Sequence, residues 1–305
     1  MEHLSEIDAP LVTIGMPVYN GAKSIKKALD SLLNQTFTNF ELIISDNAST
    51  DKTEEICKTY AAKDVRIKYI RQLENIGYVA NFKYLLMDVQ GDYFMWAAAD
   101  DIRSLDYLEL NYSFLERNLN YVASGSPNGF ENWPNDKKLV NFSIEEDEAF
   151  DRVVIFFKNC FQSHGLFYCL FRTKTITDCK ILDKIFPVFA YLGNDWATIL
   201  YLSTQGKINR TSEGNIIFGV HGVSSNSNIF KKFNRTEIEN FIPFYVLSRL
   251  VLIIVKNFSN WQKLQIIYIL VKLNIFVIID SKYQSIKSLL YIFYCKYLKS
   301  TVKKL

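Results

Sequence analysis

The sequence predicts an α/β protein: a mostly parallel central sheet flanked by helices, with a helical extension at the C-terminus. Three observations carry that prediction. Through the first hundred residues, apolar runs of strand length alternate with stretches whose apolar residues recur at helical spacing, the pattern of parallel strands joined by right-handed crossovers. Each run opens into a polar loop (Pro17 to Gly21, Asp46 to Asp51, Asn75 to Asn81, and Asp100-Asp101), and parallel strands gather such loops on one sheet edge. Finally, Phe241 to Leu305 interleaves apolar stretches with ten Lys/Arg and a single acid, Asp280.

Taken in order, Leu11 to Met16 reads as a buried strand, and Pro17, which has no amide donor, ends its ladder. Tyr19-Asn20-Gly21 forms a turn. Ile25, Ala28, Leu29, Leu32 and Leu33 then mark an amphipathic helix. Phe40 to Ser45 is a second strand. Asp51 with Glu54 suggests a capping box for a helix carrying Ile56, Cys57 and Tyr60. Val65 to Ile70 alternates as a third strand, Asn75-Ile76-Gly77 makes a loop, and Val79, Phe82, Leu86 and Val89 mark another helix. Tyr93 to Ala97 closes the series as a strand buried on both faces.

Past residue 101 the pattern loosens. Leu105 to Leu119 reads as a helix, Tyr121 to Ser124 as a strand, and Asn128 to Asn135 as a Gly/Pro/Asn loop. Phe150, Val153, Val154 and Phe157 give a helix. Gly165 to Arg172 reads as an antiparallel strand, and Gly193-Asn194-Asp195-Trp196 precedes a helix with Ile199 and Leu200. Ile216 to Phe218 is a short strand before His221. The apolar runs 241–255 and 264–279 are interrupted by Arg249 and Lys272, and each falls short of the ~20 residues of a spanning helix. Helices lying in a membrane interface fit better. The alternative is an appendage packed on the body or on a second subunit, so a homo-oligomer stays open.

The net charge of +3 hides an asymmetry: +9 in residues 241–305 leaves −6 over the first 240. A mildly acidic body with a basic, apolar tail argues against a nucleic-acid binder and for an enzyme held at an anionic surface. Five scattered cysteines (Cys57, Cys160, Cys169, Cys179, Cys295) without a CxxC pair argue for reduced thiols. The polar, acidic first ten residues show no secretory signal. Together these place the protein in the cytoplasm, peripheral at the inner face of the cytoplasmic membrane.

The chemistry concentrates where the strand beginning at Tyr93 ends in Asp100-Asp101. In open α/β sheets ligands bind at the carboxyl edge of the strands. Two carboxylates there suit a divalent cation shared with a phosphate; the competing reading is a helix cap before Leu105. Neither GxGxxG nor GxxxxGK[ST] occurs, which disfavours dinucleotide and P-loop sites. Carboxylates and amides in place of glycines suggest recognition of a base and ribose.

These residues carry a resemblance. Val-Thr-Ile-Gly-Met-Pro-Val-Tyr-Asn, Leu-Leu-Asn-Gln-Thr-Phe, Glu-Leu-Ile-Ile-Ser-Asp-Asn-Ala-Ser-Thr-Asp, Asn75-Ile76-Gly77 with Asn81, and Ala99-Asp100-Asp101 follow in the order seen at the opening of family-2 glycosyltransferases. The match covers roughly residues 10 to 105. It implies the GT-A fold, Rossmann-like in its N-terminal half, with a nucleotide diphosphate sugar donor, a divalent metal (Mn²⁺ or Mg²⁺), and inversion at the anomeric carbon. By position Asp46 resembles the acceptor of the base's imide N–H. Pro17, Tyr19 and Asn20, with Asn47, Asn75, Gly77, Asn81 and Ala99, line the donor site. Asp100 resembles the last Asp of an Asp-x-Asp metal motif whose first position is here Ala98. Asp195, at a helix start, resembles the general base; His221 resembles a ligand near the metal or diphosphate; His164 and Arg172 could line the acceptor pocket.

The resulting division is a donor-binding half over 1–105, an acceptor-binding half of the same catalytic domain over 106–235, and a basic, apolar helical extension over 236–305. The reading is an inverting glycosyltransferase acting on a hydroxyl of a glycan or lipid-linked acceptor, in surface polysaccharide or lipopolysaccharide assembly. Ala98 motivates an alternative, a non-catalytic nucleotide-sugar-binding module. A nucleotidyltransferase on a similar sheet is a third; Gly15 to Gly21 lacks the basic loop that it would need.

Overall fold

The computed structural model describes residues 10–177, 194–220, 242 and 245–282. Numbered along the chain, its elements are β1 (Val12–Val18), α1 (Ile25–Leu33), β2 (Phe40–Asp46), α2 (Thr53–Ala61), β3 (Ile67–Arg71), α3 (Tyr78–Tyr84), β4 (Tyr93–Trp96), β5 (Ile102–Arg103), α4 (Tyr107–Arg117), β6 (Tyr121–Gly125), β7 (Asn128–Phe130), α5 (Ala149–Asn159), β8 (Leu170–Arg172), α6 (Thr173–Ile176), α7 (Asn194–Gln205), β9 (Lys207–Arg210), β10 (Ile216–Phe218), α8 (Tyr245–Ile254) and α9 (Asn260–Lys282). Two compact units interleave along the sequence. The first is Met1–Asn141, Tyr168–Asp178 and Arg210–His221; the second is Phe142–Phe167, Cys179–Asn209 and Gly222–Leu305. Neither unit coincides with a single one of the three stretches drawn from the sequence.

Six strands of a seven-stranded sheet lie in the first unit, ordered β3-β2-β1-β4-β8-β6. β1, β2, β3 and β4 pair in parallel, and β8 runs antiparallel to β4 and β6. Side chains alternate across a strand, so Val12, Ile14 and Met16 share one face with Leu42, Ile44, Met95 and Ala97. That face is closed by Ile25, Ala28, Leu29 and Leu32 of α1, the predicted stripe, and by Tyr107, Leu108 and Leu115 of α4. Full burial of each such aliphatic side chain is worth about 1.5–3 kcal/mol. On the other face Trp96 meets Phe94 and Phe171 edge-on, with centroids 5.0 and 5.9 Å apart.

Several boundaries differ from the sequence reading. Pro17 does not end β1: pairing with β2 continues through Pro17↔Ser45 and Val18↔Asp46. Gly15 faces β4, its carbonyl accepting from Ala97 N–H, so Pro17 turns its missing donor to the same side. That side has already lost its partner, and only the β4 ladder stops. The third strand starts at Ile67, with Val65 wholly exposed. The helix carrying Val79 ends at Tyr84. The Gly165–Arg172 stretch is 3₁₀ to Tyr168 and strand only over β8. Asn128 to Phe130, read as loop, is β7. It pairs in parallel with β10, which pairs antiparallel with β5, to make a second, three-stranded sheet.

In the second unit α5 packs against α7 through Phe156 and Trp196, 6.4 Å apart. Arg152 ties the pair together: Nε donates to the Ser203 carbonyl at 2.6 Å and Nη1 to the Glu146 carbonyl at 2.9 Å. Ile144 bridges Ile208 of β9. Phe161 stacks edge-on against Phe276 of α9.

Candidate active site

The first unit gathers three polar loops at the carboxyl edge of β1, β2 and β3, and backbone donors lock them together. Asn20 sits at φ 53° and Ala48 at φ 59°, left-handed positions that asparagine tolerates better than alanine. The Asn20 amide donates to Ser49 Oγ at 2.9 Å, and Asn20 Oδ1 accepts from Thr50 N–H at 2.8 Å. Ala22 N–H donates to Asp51 Oδ2 at 3.1 Å, and Thr53 N–H to Asp51 Oδ1 at 3.0 Å. The expected capping box does not form: the N-cap is Lys52, Asp51 before it accepts from Thr53 N–H, and Glu54 turns to Lys58 at 2.7 Å and Arg71 at 3.4 Å. Tyr19 stays half exposed on this edge, beside partly buried Pro17.

Asp46 is fully buried and already held by three donors. Oδ1 accepts from Ser49 N–H at 2.9 Å; Oδ2 accepts from Tyr69 O–H at 2.7 Å and Arg71 Nη1 at 3.0 Å. Arg71 Nη2 also donates to the Ser49 carbonyl at 2.9 Å. Burial, reinforced by the bond to Asp46, pushes the Tyr69 phenol up from its ordinary range. Tyr69 and Arg71 escaped the sequence reading. Their spacing of two places them on one face of β3, a signal that was there to be used. Asn47 Nδ2 donates to Asn75 Oδ1 at 2.9 Å, and Asn75 Oδ1 also accepts from Gly77 N–H. Gly77 (φ 84°) needs glycine's freedom to enter α3. Asn81 Nδ2 donates to the Ser45 carbonyl at 2.9 Å, so both amides brace the end of β2.

Asp100 and Asp101 follow β4. They do not cap a helix: β5 intervenes, and α4 starts only at Tyr107, preceded by Asp106. Asp101 is buried, and its Oδ1 accepts from Gly219 N–H at 3.2 Å. Burial pushes its carboxyl up to about 7; neighbouring Arg103 opposes this and Asp100 adds to it. Arg103 is itself buried, with Nη2 donating to the Trp96 carbonyl at 3.1 Å and its guanidinium 5.4 Å over Tyr107. Asp100 is partly buried, beside Ala99 at the mouth of the edge.

Gly219 closes on this turn. A Cβ there would lie 2.5 Å from the Asp100 carbonyl oxygen and 2.6 Å from Asp100 Oδ2. Gly219→Ala is therefore expected to displace Asp100, costing about 1–3 kcal/mol of stability as overpacking does. Scanning fluorimetry and calorimetric titration with nucleotide and Mn²⁺ measure the two effects. Unchanged melting and unchanged Mn²⁺-dependent affinity would show that the turn yields freely.

The remaining predicted residues belong to other elements. Arg172, at the end of β8, has its guanidinium committed within the first unit. Nε donates to the Tyr121 carbonyl at 2.9 Å, Nη1 to Tyr93 Oη at 3.0 Å, and Nη2 to the Leu115 carbonyl at 2.6 Å. That is the work of a helix C-terminus anchor on α4, not of an acceptor contact. Asp195 lies in the first turn of α7, in the second unit, partly buried. Burial raises its carboxyl, against the lowering effect of the Trp196 and Asp195 amides. His164 belongs to the second unit and lies in the 3₁₀ segment Cys160–Tyr168. His221 lies outside the described residues. Among the described residues no three His, Cys, Asp or Glu side chains gather as a metal cage.

The family described as Glycosyl transferase family 2 matches residues 13–186. The glycosyltransferase GlyA of Streptococcus pneumoniae is 31% identical over 158 residues, which are 51% of this chain and 22% of that protein. An uncharacterized glycosyltransferase of Haemophilus influenzae is 35% identical over 141 residues, 46% of this chain and 56% of that one. The chain thus matches less than two thirds of either relative's length. Among solved structures, S. aureus TarS 1–349 superposes with a TM-score of 0.63 at 17% identity, covering 90% of this chain and 72% of that one. TarS 1–349 is also known in complex with UDP and with UDP-GlcNAc. The mannosyltransferase PcManGT of Pyrobaculum calidifontis, in complex with GDP-Man and Mn²⁺, superposes with a TM-score of 0.51 at 13% identity, covering 96% and 86%. At these identities the likeness is one of fold.

Proposed function

The chain belongs to glycosyl transferase family 2, and we propose that it transfers a sugar, with inversion, from a nucleotide diphosphate sugar to a hydroxyl of a glycan or lipid-linked acceptor. The observation that carries this reading is the locked carboxyl edge of the first unit, where the loops after β1, β2 and β3 meet within the family match. The donor lies along that edge. Tyr19 offers an exposed ring for the base. Asp46, Asn47, Asn75 and Asn81 hold the loop walls, and Pro17, Asn20, Gly77 and Ala99 complete the lining.

The donor set suits a divalent cation only in part. Asp100 is one hard oxygen ligand at the mouth; diphosphate oxygens and water would complete the shell that Mg²⁺ or Mn²⁺ prefers. Asp100 would hold the cation, with His221 as a second candidate. A bound cation supplies neutralisation of the diphosphate charge. In the transfer itself the acceptor oxygen forms a bond to the anomeric carbon, and the bond to the diphosphate oxygen breaks. The nucleoside diphosphate leaves with that electron pair. The hydroxyl proton passes to Asp195, whose raised pKa brings it nearer the range useful for a base. Two other features support a setting at the inner face of the cytoplasmic membrane, in surface polysaccharide or lipopolysaccharide assembly: the +9 charge of residues 241–305 and their apolar runs. No helix among the described residues is long and apolar enough to cross a membrane.

The test is a thermal-shift screen of nucleotide sugars with and without Mn²⁺. A donor at 100 times its Kd should add about 2.7 kcal/mol of stability, and more with Mn²⁺ than without. If no nucleotide sugar raises the melting temperature under either condition, the reading fails. Binding without transfer to any acceptor would leave a binding module.

A further inference from the structure

α9 is apolar on both sides. Ile266, Ile269, Leu270 and Leu273 are buried within the second unit, where the Asn274 side chain donates to the Leu270 carbonyl at 3.0 Å and lies 3.5 Å from Ser248 Oγ of α8. The opposite side carries Trp261 (65% exposed), Leu264 (61%), Tyr268, Val271 (49%), Ile275 (49%) and Ile279. At 3.6 residues per turn these six, with Ile267, form one outward stripe roughly 120° wide. A helix that is apolar all round is normally covered all round or lies in lipid, and a contiguous apolar strip of this kind marks an interaction surface.

We propose that this face of α9 is the surface through which the protein lies on an anionic lipid bilayer. The inference rests on the reading of residues 241–305 as membrane-facing and names the residues that make the contact. Charge selects the occupant. Across α8 and α9 stand Arg249, Lys256, Lys263, Lys272 and Lys282 against one acid, Asp280. Two copies of this segment would bring like charges together, whereas anionic headgroups complement them. Ile267 also widens the stripe beyond the narrow seam of a two-helix coil. Lys263 and Lys272 border the stripe on its two sides, and Lys272 Nζ sits 4.2 Å over the Tyr268 ring, so both long side chains can reach upward to phosphates. Trp261 and Tyr268 have the amphipathic rings favoured at headgroup depth. The segment lies flat: one face of α9 is held by protein, which excludes threading it through the bilayer.

The experiment is flotation of the full chain with phosphatidylcholine vesicles, with and without phosphatidylglycerol, comparing wild type, Leu264→Glu with Val271→Glu, and the milder Leu264→Ser with Val271→Ser. Wild type should float with the anionic vesicles. The Glu pair should lower partitioning at least tenfold and the Ser pair by less, with melting temperatures within a degree or two of wild type. Four results overturn the proposal. Equal flotation of all three proteins refutes this face while leaving membrane binding by 241–305 intact. Failure of the wild type to float refutes the membrane reading itself, without touching glycosyl transfer. A large fall in melting temperature in both variants shows the face is covered by the chain's own residues. A dimer by analytical ultracentrifugation that both variants dissociate assigns the face to a second copy.

Discussion

Asp100→Asn is expected to abolish Mn²⁺-dependent binding of the nucleotide sugar while leaving the fold intact. The reason is the difference between holding a cation and holding a turn. Asparagine keeps the size of the side chain and one oxygen, so the close contact with Gly219 survives. It loses the negative charge that a hard divalent cation favours in its oxygen ligands. The turn itself is held by Asp101, whose Oδ1 accepts the Gly219 amide; the melting temperature without ligand should therefore stay near that of wild type. Isothermal titration of donor with and without Mn²⁺ reads the effect: wild type should show a large metal-linked gain and the variant none. Retention of that gain would remove Asp100 as a ligand. Asp101→Asn tests the other half of the pair. Its neutral side chain can still accept from Gly219, so it should lose less affinity than Asp100→Asn.

The parts of this fold that could be read from the sequence were those fixed by local periodicity. The stripe of α1 closes one sheet face as its spacing demands, and the strands of β1, β2 and β4 lie where apolar runs placed them. Contacts between distant residues were not legible. Arg71 reaches Asp46 across 25 positions, and the sequence shows an Asp and an Arg without saying that they meet. Arg172 is the same case: a lone Arg at the end of a strand offers no sign that it anchors the end of α4, because the acceptors it meets there and on β6 are the backbone carbonyls of Leu115 and Tyr121. The three-stranded sheet escaped for a different reason. Its strands are two or three residues long, too short for alternation to register, and β7 runs through Asn128-Gly129, residues that favour turns. Gly219 illustrates the limit most sharply. Nothing in Phe-Gly-Val announces that a methyl group would strike Asp100, 119 positions earlier.

Asp195→Asn is expected to lower transfer by at least the ~10²–10⁴ that a general base supplies, with donor binding unchanged. Two roles compete for this residue, and both are visible in its surroundings. Its place in the first turn of α7 and the lowering effect of the Trp196 and Asp195 amides are those of a helix-start carboxylate. Its burial, which raises its pKa, suits a group that must take a proton from a hydroxyl near neutral pH. Asparagine separates them, because its amide oxygen can still accept from these first-turn amides, whereas it cannot take a proton. Alanine does neither, and should cost about 1 kcal/mol of stability as well. The discriminating pair is therefore Asn against Ala, each followed by melting temperature, donor affinity and transfer rate. If Asp195 is the base, both variants are inactive and only Ala melts early. If it merely starts the helix, the Asn enzyme turns over at close to the wild-type rate, and the search for the base moves to Glu145 to Glu148 or His164.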